Sequence, residues 1–335
     1  MKETENILAN SLYLGIDIGG THTVFAIVGP KGKILCRGGI RTTDYPVLFD
    51  FAKALRKSVE ALAREAGINI TCIGGIGVGA PCVNALTGVA EGAVDLPWPS
   101  PVPLAETLQN VFGIPVGAAN DANAAAMGEM YYGACMDYDD FIMITLGTGV
   151  GSAIVADGNM ILGKRALAGE LGHSIVRYDS DRMCSCGRRG CLEMYCSARG
   201  VVLTARKMLE ATKEDSSLRS IPSDTLSAKD ICLAASAGDK IAMDTMRFTG
   251  EILGEACANF TAFSSPEAFV FFGGVARAFP YFKDAMIESY RRNLLWVYRD
   301  QVKFLQSDLP FDDAALLGAA AVGRRAALKT FCPTC

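Results

Sequence analysis

Four side chains that bind soft metal ions lie within one short stretch, GELGHSIVRYDSDRMCSCGRRGCLE, which ends at Glu193. His173 comes first, and Cys184, Cys186 and Cys191 follow it. A closed tetrahedral zinc site needs four nitrogen or sulfur ligands. The glycines between the cysteines can turn the backbone sharply, whereas cysteines this close in sequence are poorly placed to bond to each other. The spacing predicts a zinc site; the alternative is a set of buried thiols in a reducing compartment.

A glycine turn between two apolar runs, YLGIDIGGTHTVFAIV, predicts a β-hairpin near the start of the chain. Asp17 stands at the end of the first strand, and Gly19, Gly20 and Thr21 form the turn. Because glycine has no Cβ, such a turn lets a phosphate approach the backbone N–H groups. A plain hairpin is the alternative. His22, next to the turn, is expected to be an exposed turn residue and not a catalyst.

The same pattern recurs in the middle of the chain. Strands are predicted at Phe141–Thr145 and Val150–Ala156, and the turn between them contains Gly147, Thr148 and Gly149. Two strand–glycine–strand hairpins in one chain indicate a duplicated unit. Thr148 and Gly149 are therefore candidates for a second phosphate loop, with an unrelated hairpin turn as the alternative.

An acidic residue lies between a predicted strand and a predicted helix. The strand PVGAA ends just before Asn120 and Asp121, and the helical run ANAAAMGEMYYG follows. In an open α/β sheet, an aspartate at the carboxyl end of a strand is well placed for chemistry. The alternative to a chemical role is an Asx N-cap of the helix, and Asn123 is a rival candidate for that cap.

Length and composition indicate the class of protein. The 335 residues suit two domains, and with 50% hydrophobic and 20% charged residues both should bury substantial cores. A net charge of −4 without a block of Lys or Arg argues against a nucleic-acid partner. The 12 cysteines favour a reducing cytoplasm, and no apolar run is long enough for a membrane helix. The CxxC spacing of Cys332 and Cys335 is interpreted as a tail.

The motifs GELGH and CxCGxxGCxE, with DxGGT earlier in the chain, resemble the ROK family of sugar kinases and sugar-responsive repressors. The resemblance runs from about Leu12 to Leu328. It implies an α/β fold of two actin-like (ribonuclease H-like) domains, with an interdomain cleft and a structural zinc loop. Residues 1–119 with the C-terminal helix 310–330 would form the smaller domain. Residues 120–309 would form the larger domain, which carries the zinc loop.

The resemblance also implies the sugar site. Glu170, His173 and Glu193 would bind sugar hydroxyls, for which carboxylates make strong charge-assisted hydrogen bonds. Zinc would fix the tautomer of His173, so that its other ring nitrogen donates to the sugar. Asp121 would accept the proton of the attacking hydroxyl, and Asn120 would orient the sugar.

The nucleotide site follows from the same resemblance. Asp17 is expected near Mg²⁺, and the two glycine turns are expected to bind the phosphates of ATP. A third glycine pair follows the predicted strand AFVFF and is expected to face the adenosine, although a close helix–strand contact is the alternative. The expected nucleotide-binding residues are Asp17, Gly19, Gly20, Thr21, Thr148, Gly149, Gly273 and Gly274.

The family implies a cytoplasmic, ATP-dependent kinase that acts on the 6-hydroxyl of a hexose, predicted here to be a glucokinase. The resemblance implies a homo-oligomer, a dimer or tetramer. Other ROK kinases, which act on N-acetylmannosamine, mannose, allose or fructose, are the alternative, because epimers differ only in hydroxyl contacts. A sugar-responsive repressor is less expected, since that branch carries a helix-turn-helix ahead of DxGGT. Family members commonly have asparagine where this chain has Asp95, which leaves the sugar open.

Overall fold

The computed structural model describes residues 11–92, 95–298 and 301–331. The sequence also predicts a short strand at 88–94, whose end lies outside the described residues, as do Cys332 and Cys335. The chain forms two compact units. The first contains Met1–Asp137, Leu162–Ala168 and Asp308–Cys335, and the second contains Tyr138–Ile161 and Gly169–Ser307. Among the described helices, none combines the length and the apolar character that crossing a membrane requires.

The strands are short and most are buried on at least one face. In chain order they are β1 Leu12–Ile18, β2 His22–Val28, β3 Ile34–Arg41, β4 Ile73–Gly79, β5 Val83–Asn84, β6 Val89–Ala90, β7 Val116–Ala119, β8 Phe141–Leu146, β9 Val150–Ala156, β10 Asn159–Met160, β11 Ala268–Phe272 and β12 Lys303–Gln306. The described α-helices are α1 Leu48–Glu65, α2 Leu104–Phe112, α3 Asp121–Tyr132, α4 Glu193–Cys196, α5 Ala198–Ala211, α6 Ala228–Ser236, α7 Lys240–Ser264, α8 Phe279–Asn293 and α9 Ala314–Phe331.

The two large sheets have the same plan. The sheet of the first unit has the order β3-β2-β1-β4-β7, and that of the second has β10-β9-β8-β11-β12. In each, the first three strands are antiparallel and the last two pairings are parallel. The mixed sheets place each glycine turn between equivalent strands, β1 and β2 in one unit and β8 and β9 in the other. The internal repeat predicted from the two hairpins is therefore confirmed as a shared topology.

Helix α9 packs directly on the sheet of the first unit, because glycines on β1 and β4 remove the side chains that would separate them. A Cβ on Gly15 or Gly77 would overlap the carbonyl oxygens of Leu316 and Ala319, respectively. Gly323 makes the reciprocal approach from the helix to the backbone of β4. The other side of the sheet is covered by α1, whose buried Phe51, Leu55 and Val59 belong to the core of this unit.

In the second unit, α7 and α8 pack together by a similar close approach. A Cβ on Gly250 or Gly254 would overlap backbone carbonyl oxygens of α8. Phe269 and Phe271 of β11 and Phe282 of α8 are fully buried in the same core. Helix α8 and strand β12 have no counterpart among the elements predicted from sequence. The four residues of β12 are too few for a periodic signal, whereas the buried Phe279, Phe282, Met286 and Tyr290 of α8 recur at helical spacing.

We expect Gly77→Ala to lower the free energy of unfolding by about 2 to 4 kcal/mol, because the new methyl group must push α9 away from β4. Gly74→Ala, in the same strand, is the matched control, since its Cβ would have no neighbour closer than 3.6 Å. Denaturant unfolding of both variants measures the difference. Equal stability of the two variants would show that α9 does not depend on this contact.

Candidate active site

The first glycine turn joins β1 to β2 and approaches a neighbouring loop closely. The N–H of Gly19 donates to the carbonyl of His22 at 3.0 Å, which closes the turn. A Cβ on Gly20 would overlap the carbonyl oxygen of Asp95, so only glycine fits there. Thr21 and His22 are exposed, as predicted for His22, although His22 is the first residue of β2.

A cavity of about 760 Å³ lies beside this turn, within the first unit. Its lining includes three carboxylates, those of Asp17, Asp95 and Asp121, together with Gly20 and Thr21. Burial, and in second place the negative charge of Asp121, raise the pKa of the Asp17 carboxyl above its ordinary value. A nearby cation would favour the charged form of Asp17, so the cavity suits an anionic ligand that arrives with a metal ion.

Asp17 and Asp121 share one edge of the sheet because β1, β4 and β7 are parallel. Asp17 pairs with Gly79 of β4, and Ala119, at the end of β7, pairs with the same glycine. Helix α3 begins at Asp121, whose side chain is exposed. Sequence thus predicted correctly that Asp121 follows the carboxyl end of a strand.

An Asx cap does exist at this helix, but at Asn120. The Oδ1 atom of Asn120 accepts a hydrogen bond from the backbone N–H of Asn123 at 2.9 Å. Asn120 is therefore the N-cap, and Asp121 is the first helical residue. The cap engages the carbonyl oxygen of the Asn120 amide, and the amide NH₂ is the group through which Asn120 would donate to a ligand.

The predicted metal ligands converge in the second unit. One donor atom from each of His173, Cys184, Cys186 and Cys191 lies within 4.8 Å of all the others. The Nδ1 of His173 is 3.5 Å from the sulfur of Cys184, and the sulfurs of Cys186 and Cys191 are 3.6 Å apart. A disulfide would need about 2 Å, whereas ligands of one tetrahedral zinc ion are roughly 3.8 Å apart. The donor set fits zinc.

The loop that carries the cysteines is shaped by its glycines. Gly187 and Gly190 have φ angles of +83° and +75°, which favour glycine. The backbone and then the side chain of Arg188 donate to the sulfur of Cys186 and lower its pKa to about 6. Burial raises the pKa of Cys191 to about 12. Zinc binds the thiolate form, so the loop already favours one ligand in its metal-binding state.

Glu193 connects the metal loop, residues 184–191, to the second glycine turn. It is the first residue of α4 and follows Cys191 by two positions. Its Oε2 accepts a hydrogen bond from the backbone N–H of Val150 at 3.1 Å, and the Cys184 thiol donates to its Oε1 at 3.5 Å. A Cβ on Gly149 would come within 2.5 Å of Oε2, so glycine makes room for this carboxylate. Sequence reasoning missed this contact, because it joins segments far apart in the chain.

The GELGH segment is fixed to β9. Glu170 is exposed and precedes a helical turn, Leu171–His173. The Ser152 hydroxyl donates to the carbonyl of Gly169 and accepts from the N–H of Leu171 at 3.0 Å. The structure therefore brings His173 to the metal cluster and leaves the Glu170 side chain accessible.

The third glycine pair follows β11. Gly273 has a φ of +107°, and a Cβ there would come within 2.5 Å of the carbonyl oxygen of Leu146. Gly274 has no such neighbour within 4 Å. Gly273 thus makes a close backbone contact with the end of β8, and not with a helix as the alternative supposed. The adenosine role of the pair remains a prediction.

We expect purified protein to contain close to one zinc ion per chain, because four donors already converge on one point. Cys191→Ser should lose most of the metal, since it removes a buried ligand. Cys72→Ser is the matched control, because Cys72 is an exposed free cysteine outside the cluster. Elemental analysis after dialysis measures the metal. Full zinc in Cys191→Ser, or none in the wild type, would contradict the assignment.

Comparison with known proteins identifies the family. The ROK family model matches residues 13–326. A glucokinase of Halalkalibacterium halodurans is 35% identical over 81% of this chain and 82% of its own length. A solved ROK family glucokinase from Streptomyces griseus, in complex with glucose and AMPPNP, is 32% identical with a TM-score of 0.72, covering 94% of this chain and 99% of that one. A solved ROK family transcriptional regulator, a homologue of the E. coli MLC protein, is 26% identical with a TM-score of 0.81. The match covers 95% of this chain and 78% of that one. The two mixed sheets have the ROK kinase fold, and the chain belongs to the ROK family.

Proposed function

We propose that this protein is an ATP-dependent hexose kinase that transfers a phosphoryl group to the 6-hydroxyl, with glucose as the preferred sugar. The observation that carries the proposal is the exposed Asp121 carboxylate, which lines one cavity with Asp17 and the first glycine turn. The similarity to glucokinases supports the choice of reaction. The proposal includes a cytoplasmic homo-oligomer that uses ATP, Mg²⁺ and a structural zinc ion.

Asp121 acts as the base in this proposal. Phosphoryl transfer requires little covalent chemistry from the protein, but it requires a group that accepts the proton of the attacking hydroxyl. The first turn of α3 holds Asp121 beside Asn120, whose Oδ1 is engaged in the cap. The amide NH₂ of Asn120 would then donate to a sugar oxygen and orient the hydroxyl toward Asp121.

The phosphates of ATP would bind to the two glycine turns. Gly20 and Thr21 line the cavity of the first unit, and Thr148 and Gly149 occupy the equivalent turn of the second. Mg²⁺ would neutralise the charge of the phosphates and stabilise the transition state. Asp17 is suited to hold it, because partial burial and the charge of Asp121 raise the pKa of its carboxyl and a divalent cation would favour the charged form.

The sugar would bind to acceptors around the metal loop. His173 directs Nδ1 toward the sulfur of Cys184, so metal binding through Nδ1 leaves Nε2–H to donate to a sugar hydroxyl. The N–H of Val150 holds the carboxylate of Glu193, and Glu170, three residues before His173, is exposed. Two carboxylates and one imidazole are a suitable set for hydroxyl groups.

Asp95 bears on which hexose the site prefers. A carboxylate accepts hydrogen bonds but does not donate them, whereas an asparagine amide does both. Asp95 lines the cavity of Asp121, so this difference from the usual family asparagine can alter the ranking of sugars. N-acetylmannosamine, mannose, allose and fructose remain the alternatives.

A coupled assay of ADP release over a panel of hexoses tests the reaction and the sugar together. We expect glucose to have the highest kcat/KM, and product analysis should find the phosphate on the 6-oxygen. If an N-acetylated hexose ranks first, the sugar assignment is wrong while the kinase assignment stands. The absence of sugar-dependent ADP release from zinc-loaded protein would contradict the kinase assignment.

Asp121→Asn should lower kcat by about a thousandfold or more, because it removes the proton acceptor while keeping the shape of the side chain. Sugar binding, followed by calorimetry, should persist. Asp50→Asn is the matched control, since Asp50 is an exposed aspartate in the first turn of α1. Near wild-type turnover in Asp121→Asn would exclude Asp121 as the base.

A further inference from the structure

Arg182 is an arginine buried in the second unit, two residues before Cys184, with only 8% of its surface exposed. The acceptors recorded for its guanidinium in the described part of the chain are all neutral. Nη1 donates to the carbonyl of Met194 at 2.8 Å and to the hydroxyl of Thr204 at 3.0 Å, and more weakly to the carbonyl of Gly200 at 3.4 Å. A buried charge held in this way is costly, so it points to a specific role.

The ring of Tyr195 completes the environment of this arginine. The guanidinium carbon of Arg182 lies 4.3 Å from the ring centroid, within the range of a cation–π contact. The Tyr195 hydroxyl donates to Ser180 at 2.6 Å, and the Ser180 hydroxyl accepts from the backbone N–H of Arg182 at 3.0 Å. The N–H of Gly190, next to Cys191, donates to the Arg182 carbonyl. Arg182 therefore contacts the metal loop with its backbone and α4 and α5 with its side chain.

Helix α4 needs such support because it contains only four residues. An isolated helix of this length is not stable, so tertiary contacts determine where its residues lie. Arg182 binds the carbonyl of Met194, which is adjacent to Glu193 in this helix. The carboxylate of Glu193 in turn contacts the Cys184 sulfur and the N–H of Val150.

We propose that Arg182 is a positioning residue, which fixes α4 against the metal loop and thereby holds the Glu193 carboxylate in place for the sugar. The sugar part of this inference rests on the proposed function. The contact between Arg182 and the loop that carries the metal ligands does not. The same residue should thus influence both sugar affinity and retention of zinc.

Arg182→Met tests the inference, because methionine keeps much of the apolar volume but removes every donor. We expect the KM for the sugar to rise by about tenfold, with kcat within about threefold and the KM for ATP unchanged, since Glu193 would bind the sugar equally in the ground and transition states. Arg182→Lys should recover part of the affinity, because an ammonium can reach one carbonyl but lacks the planar fork.

Arg177→Met is the matched control. Arg177 lies in the same segment and forms a two-point ion pair with Glu255, at 2.6 and 3.0 Å, but no hydrogen bond to α4 is recorded for it in the described residues. This variant loses a cation and some stability and should keep the sugar KM of the wild type. If both variants raise the sugar KM equally, or if Arg182→Met only lowers the melting temperature, Arg182 has a structural role alone and the inference is wrong.

A second readout does not need kinase activity. Zinc release from the loaded protein into a chromophoric chelator should be about tenfold faster in Arg182→Met than in the wild type or in Arg177→Met. Thr204→Val removes one Arg182 acceptor and should change both readouts in the same direction, which keeps the test available if Arg182→Met does not fold. An inactive wild type would overturn the proposed function, whereas equal zinc release in all variants would overturn the role of Arg182.

Discussion

The convergence of one imidazole and three thiols on a single point is the constraint on which the proposed sugar site depends. The metal loop is rich in glycine and charged residues, and Cys184 and Cys191 are the side chains through which it joins the core of the second unit. A bound ion would fix the loop further, because four ligand bonds hold the backbone at four positions. Glu193 follows the last of these ligands by two residues, and the N–H of Val150 holds its carboxylate.

The duplicated sheet supplies the second constraint. The glycine turn joins β1 to β2 in the first unit and β8 to β9 in the second. The two turns have different surroundings. Gly20 fits against the backbone of Asp95, whereas Gly149 makes room for the carboxylate of Glu193. One fold unit, used twice, thus places its glycine turn in two chemical settings.

Local signals in the sequence predicted much of this arrangement. The cluster of His173 with three cysteines, both hairpins and the position of Asp121 after β7 could be predicted, because each is encoded by residue types within a short stretch. The cap at Asn120, the bond from Val150 to Glu193 and the burial of Arg182 could not. Each of these depends on which segments pack together, and a charged side chain such as Arg182 gives no sign in sequence that it will be buried.

The central claim is that the metal loop forms the sugar site, and calorimetric titration of glucose into zinc-loaded and zinc-depleted protein tests it most directly. Folding of the depleted protein is checked by circular dichroism, because loss of the whole second unit would also abolish binding. We expect measurable glucose binding to the loaded protein and at least about tenfold weaker binding after depletion, since Glu193 and His173 lose their support. Equal affinity in the two folded forms would contradict the claim.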